Sequence, residues 1–277
     1  MQTENSAFTN RSGQKIFQSS WLPASAPQAV VCIIHGLGEH SGRYAALAES
    51  LAAAGFACFA LDHPAHGKSD GQQCFIPDFS LLVETARQFI DDSKQRYPDL
   101  PSFVIGHSMG GVITTTLLTE TPQLVNGAIL SGPALATDEA VGPIQRIVLN
   151  AISRLFPEAP TFQLDPSLVC SDVSVVDNYL NDPLVFSGKI PARTISEIIR
   201  GADSALKKAS KITTPLLLLH GENDKLASPE GSKQLYRSCS SEDKELIIYP
   251  ALFHEIFQEP RRHEIFSRIA DWIGERR

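Results

Sequence analysis

The chain has 277 residues, 43% hydrophobic and 20% charged, which places it among globular proteins and is long enough for one large core with an insertion. A formal charge of -7 and the lack of any lysine- or arginine-rich run argue against a nucleic-acid partner, because such binding draws on clustered cations that release counterions. No run of about 18 uncharged apolar residues, the length a spanning helix needs, and no apolar h-region in residues 1–18 mark a membrane span or a secretory leader.

The first elements in chain order are Asn5–Thr9 and Lys15–Trp21, which read as a hairpin because the short Arg11-Ser12-Gly13 link can only join antiparallel neighbours. Apolar runs rich in Val, Ile, Leu and Phe follow at Ala29–Ile34, Phe56–Leu61, Ser102–Ile105 and Gly127–Ser131, and again at Leu216–Leu219 and Leu246–Tyr249. Helical spacing separates them at Tyr44–Ala54, Phe79–Tyr97 (stopped by Pro98), Met109–Thr119, Ser228–Ser238 and Arg261–Ile273. The alternation predicts an α/β architecture with a mostly parallel eight-stranded sheet flanked by helices, the hairpin forming its antiparallel edge.

Between the sixth and seventh strands the rhythm breaks. Residues 134–209 hold Pro143, Pro157, Pro160, Pro166, Pro183 and Pro191 and one amphipathic run, Ile144–Phe156, and read as a helical cap inserted into a core of residues 1–133 and 210–277. That run either packs on its own core or covers a pocket and touches a lipid surface. Of the five cysteines, none forms a CxxC pair and one is left over in any disulfide scheme, which suits a reducing compartment. The expected location is cytoplasmic, with transient contact at membrane surfaces through the cap. Cys32 and Cys58 read as small buried hydrophobes, and Cys170 as either a pocket-lining or an inert buried thiol.

Chemistry concentrates at Gly106-His107-Ser108-Met109-Gly110, a G-x-S-x-G pattern where an apolar strand ends and a helix begins. Small residues flank Ser108 because such a turn is strained and brings the backbone close to itself, leaving the hydroxyl exposed as a nucleophile. A serine hydroxyl needs a base, and His254, in the loop after the last strand, lies at the same sheet edge. The acid that fixes the base's tautomer belongs between them in sequence. His220-Gly221-Glu222-Asn223-Asp224 supplies Asp224, with Glu222 as the competing carboxylate. Backbone amides of Met109 and of Leu37, in His35-Gly36-Leu37-Gly38, are the expected oxyanion donors. His35, His63, His66 and His107 lack the spacing of a zinc site and read as loop-packing residues, and no G-x-G-x-x-G opens a strand–helix unit, so neither a metal nor an organic cofactor is expected.

Three stretches carry a resemblance: His35-Gly36-Leu37-Gly38-Glu39-His40-Ser41-Gly42-Arg43-Tyr44, Asp62-His63-Pro64-Ala65-His66-Gly67-Lys68-Ser69, and Gly106-His107-Ser108-Met109-Gly110-Gly111. In their order and spacing the chain resembles, over nearly its full length, the monoacylglycerol lipase and lysophospholipase group of α/β-hydrolases (serine aminopeptidase-like hydrolases). The resemblance implies Ser108, Asp224 and His254 as catalytic triad, Leu37 and Met109 as oxyanion hole, and a lipid ester, a fatty-acid monoester of glycerol, as substrate. Two positions depart from the group's pattern: Ala65 and Ala251 stand where glycine is usual. A broad carboxylesterase or lysophospholipase and a non-catalytic ligand receptor on the same fold are the rival readings. A peptidase is disfavoured, since no acidic cluster for a substrate amino terminus is identifiable. With an unshifted base, activity is expected to fall below pH ~6.5.

Overall fold

The computed structural model describes residues 1–137 and 141–277. Strand β3 (Ala29–Ile34) is buried at every position, and its side chains alternate between two cores. Val30, Cys32 and Ile34 enter one cluster; Ala29, Val31 and Ile33 enter the other. The same split runs through β5 (Ser102–His107) and β9 (Leu216–Gly221), as burial on both faces demands.

With β1 (Gln2–Thr9), β2 (Lys15–Leu22), β4 (Phe56–Leu61), β6 (Gly127–Ser131) and β10 (Lys244–Tyr249), these strands form one eight-stranded sheet in the order β1-β2-β4-β3-β5-β6-β9-β10. Only β1 with β2 and β2 with β4 pair antiparallel; the remaining pairs are parallel. The hairpin is thus the antiparallel edge the sequence suggests, and β5 lies in the middle of the parallel part. Strands β5 and β9 run two residues beyond their apolar stretches, because backbone pairing continues through Gly106 with Leu130, His107 with Ser131, and into Gly221 opposite Tyr249.

One face is covered by helices α2 (Phe79–Gln95) and α3 (Met109–Glu120), with Phe79, Leu82, Val112 and Leu117 in the first core. The other carries α1 (Ala45–Ala53), preceded by a single 3-10 turn at Ser41–Tyr44, and α8 (Arg262–Gly274), whose Trp272 packs edge-on against Phe103 at 6.1 Å between ring centroids. Side-chain caps set two helix starts: Asp78 accepts from the Ser80 amide ahead of α2, and Ser228, followed by Pro229, accepts from the Glu230 amide ahead of α7 (Pro229–Ser238).

Between β6 and β9 lie α4 (Pro143–Leu155), a short two-stranded ribbon of β7 (Pro160–Phe162) with β8 (Ile190–Pro191), α5 (Val173–Asn181) and α6 (Ala192–Lys207). Helix α6 sends Ile198, Ala202 and Ala205 into the first core, so this segment is continuous with the main domain's packing. Helix α4 behaves differently: Ile144, Ile147 and Val148 are 52–76% exposed, as are Leu155 and the following Phe156 at 73% and 67%. Leu149 and Ile152 of this run are partly buried, so one side of the helix packs inward while these five apolar side chains face outward.

Candidate active site

Strand β5 leads directly into Ser108, which has φ 51° and ψ -116°, a conformation that costs an L-residue of order 1–3 kcal/mol and persists only where the surroundings enforce it. The enforcement is visible in backbone bonds. The Ser108 amide donates to Ser131 O at 3.0 Å, and the Ser108 carbonyl accepts from Gly111 and Val112 in the first turn of α3. A side chain at Gly106 would put a Cβ 2.5 Å from Thr114 Oγ1, and one at Gly110 would run into the carbonyl oxygens of Ile34 and His35, so only glycine allows the elbow to close.

Asp224 follows β9 and His254 follows β10, and His254 Nδ1 donates to Asp224 Oδ2 at 2.7 Å. The other carboxylate oxygen, Oδ1, accepts from the amides of Leu226 and Ala227, both at 2.9 Å. Burial works against charge on Asp224, but the His254 charge and the bonds from His220, His254 and Ala227 hold its pKa well below the usual carboxylate range. Burial likewise disfavours the His254 imidazolium, yet Asp224 outweighs it and the pKa lies above 6.5. An acid limit set by this imidazole would therefore lie above that of an unshifted one. Glu222, the alternative acid, sits on the exposed side of the loop, its amide bonded to Tyr249 O at 2.9 Å.

Ser108, Asp224 and His254 share the wall of a cavity of about 1080 Å³ with Leu37 and Met109, the two expected oxyanion donors. Met109 opens α3, where the first amides have no acceptor inside the helix. The loop bearing Leu37 is tied on both sides: the Gly36 amide donates to Glu39 Oε1 at 2.7 Å, and Gly38 O accepts from the Phe186 amide at 2.7 Å.

Two groups that the sequence reading did not single out hold these loops. Arg43 bonds both oxygens of Glu255, at 2.6 and 2.7 Å, and also Glu39 Oε2 at 3.1 Å; Tyr44 Oη adds a bond to Glu39 Oε1 at 2.7 Å. One guanidinium thereby links the Leu37 loop to the neighbour of His254. Its burial opposes charge, but Glu255 and then Glu39 more than offset this and push the Arg43 pKa up. His220 and Ser232 form the second group, behind Asp224.

Residues 25–261 match the family described as Serine aminopeptidase, S33 (Hydrolase_4). The chain belongs to this family of α/β-hydrolases. Among curated relatives it is similar to a monoacylglycerol lipase of Mycolicibacterium smegmatis, 36% identical over 267 residues that cover 96% of this chain and 95% of that protein. It is also similar to the Homo sapiens monoglyceride lipase, at 32% identity over 97% of this chain and 90% of that one. Of solved structures, the monoacylglycerol lipase of Paleococcus ferrophilus superposes with a TM-score of 0.83 at 31% identity, covering 95% of this chain and 99% of that chain. These likenesses support a lipase or esterase activity in general.

The two departures from the family's glycines now have a physical reading. Ala65 has φ 64° and Ala251 φ 65°, so both alanines take the left-handed conformation that glycine adopts without strain. At both positions the alanine bears that strain. Of the loop histidines, His35, His63 and His66 pack ring against ring with centroids 4.3 to 6.1 Å apart. Their nitrogens serve backbone: His35 Nδ1 donates to Gly36 O, His63 Nε2 to His35 O and His66 Nδ1 to Pro64 O. Burial pushes His63 and His107 down to about 3, so both are neutral imidazoles. Among the described residues, no group of three or more His, Cys, Asp or Glu is placed to hold a metal ion. Cys170 is buried in a small cluster with Val169, Tyr179 and Val185, and burial pushes its thiol up to about 12, which favours the inert alternative. Also among the described residues, no helix is long and apolar enough to cross a membrane.

Proposed function

We propose that this protein hydrolyses the carboxylic ester of monoacylglycerols, releasing glycerol and a fatty acid through an acyl-enzyme on Ser108. The observation that carries the reading is the Asp224–His254 bond of 2.7 Å opening, beside Ser108, into a cavity slightly larger than the roughly 300–1,000 Å³ typical of ligand sites. In this reading His254 Nε2 takes the Ser108 proton as Oγ attacks the ester carbonyl. The amides of Leu37 and Met109 take up the charge on the oxyanion. His254 then protonates the departing glycerol oxygen and activates the water that frees the acid, while Asp224 stabilises the imidazolium in both halves.

Wall chemistry favours this substrate class. Ile195, Ile198 and Ile199 of α6, with Leu149 of α4 and Leu168, offer an apolar lining for an acyl chain, while Glu39, Glu255 and Tyr179 make a polar corner near His254. Lys225 is the one Lys or Arg among the described residues of the wall, against five carboxylates; Glu39 and Glu255 share the Arg43 guanidinium, and Asp165, Glu222 and Asp224 still outnumber Lys225. A neutral glycerol suits that field better than the phosphate of a lysophospholipid. Residues 134–209 would then act as the cap of the acyl channel. The exposed apolar side of α4 would meet the lipid surface that supplies substrate, a contact that adds affinity in proportion to buried apolar area.

The test is glycerol release from monoacylglycerols of graded chain length, with diacylglycerol and lysophosphatidylcholine alongside and Ser108→Ala as blank. Ser108-dependent turnover confined to monoacylglycerols supports the assignment. Turnover of short soluble esters alone would leave a general esterase, and no Ser108-dependent turnover of any ester would leave a ligand receptor. Flotation with liposomes that leaves all protein in solution would count against the membrane contact.

A further inference from the structure

We propose that His220 is a positioning residue that sets how much of its charge Asp224 presents to His254, an inference that rests on the reading of these two as acid and base. His220 is the penultimate residue of β9 and is fully buried. Its Nε2 faces two groups that can only accept, Asp224 Oδ2 at 3.1 Å and Ala227 O at 2.8 Å, so Nε2 carries the ring proton. Nδ1 is then the acceptor for the Ser232 hydroxyl at 2.7 Å. Ser232, itself fully buried on α7, thereby satisfies the second ring nitrogen and holds the ring in place.

The division of labour at Asp224 follows from which oxygen each donor uses. Oδ1 is held by two backbone amides, those of Leu226 and Ala227, and these suffice to orient the carboxylate. His220 instead reaches Oδ2, the same atom that accepts from His254 Nδ1, through a proton shared with the nearer Ala227 O. A second donor on that atom draws charge away from His254, so the imidazolium is stabilised less than by an undivided carboxylate. The base thus keeps a larger neutral fraction near neutral pH, where it must accept the serine proton. His254 is also faced by its neighbour Glu255, by Glu39 with Arg43 from the loop after β3, and by His107, whose ring lies 4.7 Å away; Glu222 and Lys225 flank Asp224 on its own loop. The variants below leave all of these in place.

The experiment follows the His254 ring by NMR in full-length Ser108→Ala protein labelled at histidine, with and without His220→Leu, His220→Gln or Ser232→Ala. The pH dependence of kcat/KM on a short nitrophenyl ester is measured for the same variants with Ser108 intact. His220→Leu is expected to move the His254 midpoint upward by about half a pH unit or more, since hydrogen bonds to charged groups are among the stronger ones. The acid limb of kcat/KM should move with it, with little change in KM. His220→Gln, whose amide nitrogen can donate from the same place, should restore the parent value. Ser232→Ala should shift the midpoint in the same direction by less, and it carries the test if His220→Leu does not fold. An unmoved or lowered midpoint overturns the proposal. Absence of Ser108-dependent ester turnover would sink the hydrolase reading instead, while the NMR titration would still decide the role of His220.

Discussion

Replacing Arg43 with methionine removes one positive charge from between two carboxylates while keeping much of the side-chain volume. The three side chains are 5–9% exposed, so water cannot readily take the place of the guanidinium. Breaking a buried ion pair by deleting one partner typically costs about 3–5 kcal/mol, most of it from the charge left behind. The two carboxylates do not suffer equally. Glu39 keeps the Gly36 amide and Tyr44 hydroxyl as donors, whereas both side-chain oxygens of Glu255 are bonded to Arg43. Glu255 is therefore the group left stranded. In a second round, Arg43→Met with Glu255→Leu should recover most of the lost stability, and Arg43→Met with Glu39→Gln little of it. For a 277-residue chain with about 2.1 cal/mol/K of unfolding entropy per residue, a 3–5 kcal/mol loss lowers the melting temperature by roughly 5–9 °C. Urea titration with thermal melts of the four proteins checks this. A single variant within about 1 kcal/mol of the parent, or stronger rescue by Glu39→Gln than by Glu255→Leu, would refute the reasoning.

Three further outcomes are expected. The kcat/KM profile should fall with acid through a midpoint above 6.5, because the base must be neutral and, despite burial, Asp224 raises the His254 pKa; a midpoint at or below 6.5 would contradict the assigned pair. Asp224→Asn should lower kcat by about 10⁴-fold while Glu222→Gln changes it by less than about tenfold, since only the former contacts His254; equal losses in steady-state assays would reopen the choice of acid. Ala65→Gly and Ala251→Gly should each leave stability unchanged or raise it by up to about 1 kcal/mol, the relief of left-handed strain being partly offset by the entropy of glycine in the unfolded chain; denaturant curves showing a clear loss would mean the strain is not there.

Much of this arrangement could be read from the residues, for identifiable reasons. An apolar strand running into Gly106-His107-Ser108 leaves few options for the serine, and chain order then narrows the acid and base to short loops after strands. Strand ends were less legible: Gly106, His107 and Gly221 extend their strands through backbone pairing, which side-chain polarity does not report. The helix expected from Tyr44 begins with a 3-10 turn, because the His40 side chain caps Gly42 and directs the first hydrogen bonds. Arg43 and Glu255 stand 212 residues apart, so their pairing exists only in three dimensions. His220 was visible in the sequence but not its role, which depends on Ser232 and Ala227 turning back toward it after β9. Ala65 and Ala251 could be recognised as substitutions for glycine, yet only the backbone angles reveal that the alanines take the left-handed conformation.

The most direct test of the central claim is glycerol release from monoacylglycerol vesicles by the native chain and by Ser108→Ala. Rapid release by the native chain across a range of acyl lengths, and none above blank for the variant, is the expected result. Release that persists in Ser108→Ala, or a native chain inert toward every monoacylglycerol offered, would contradict it.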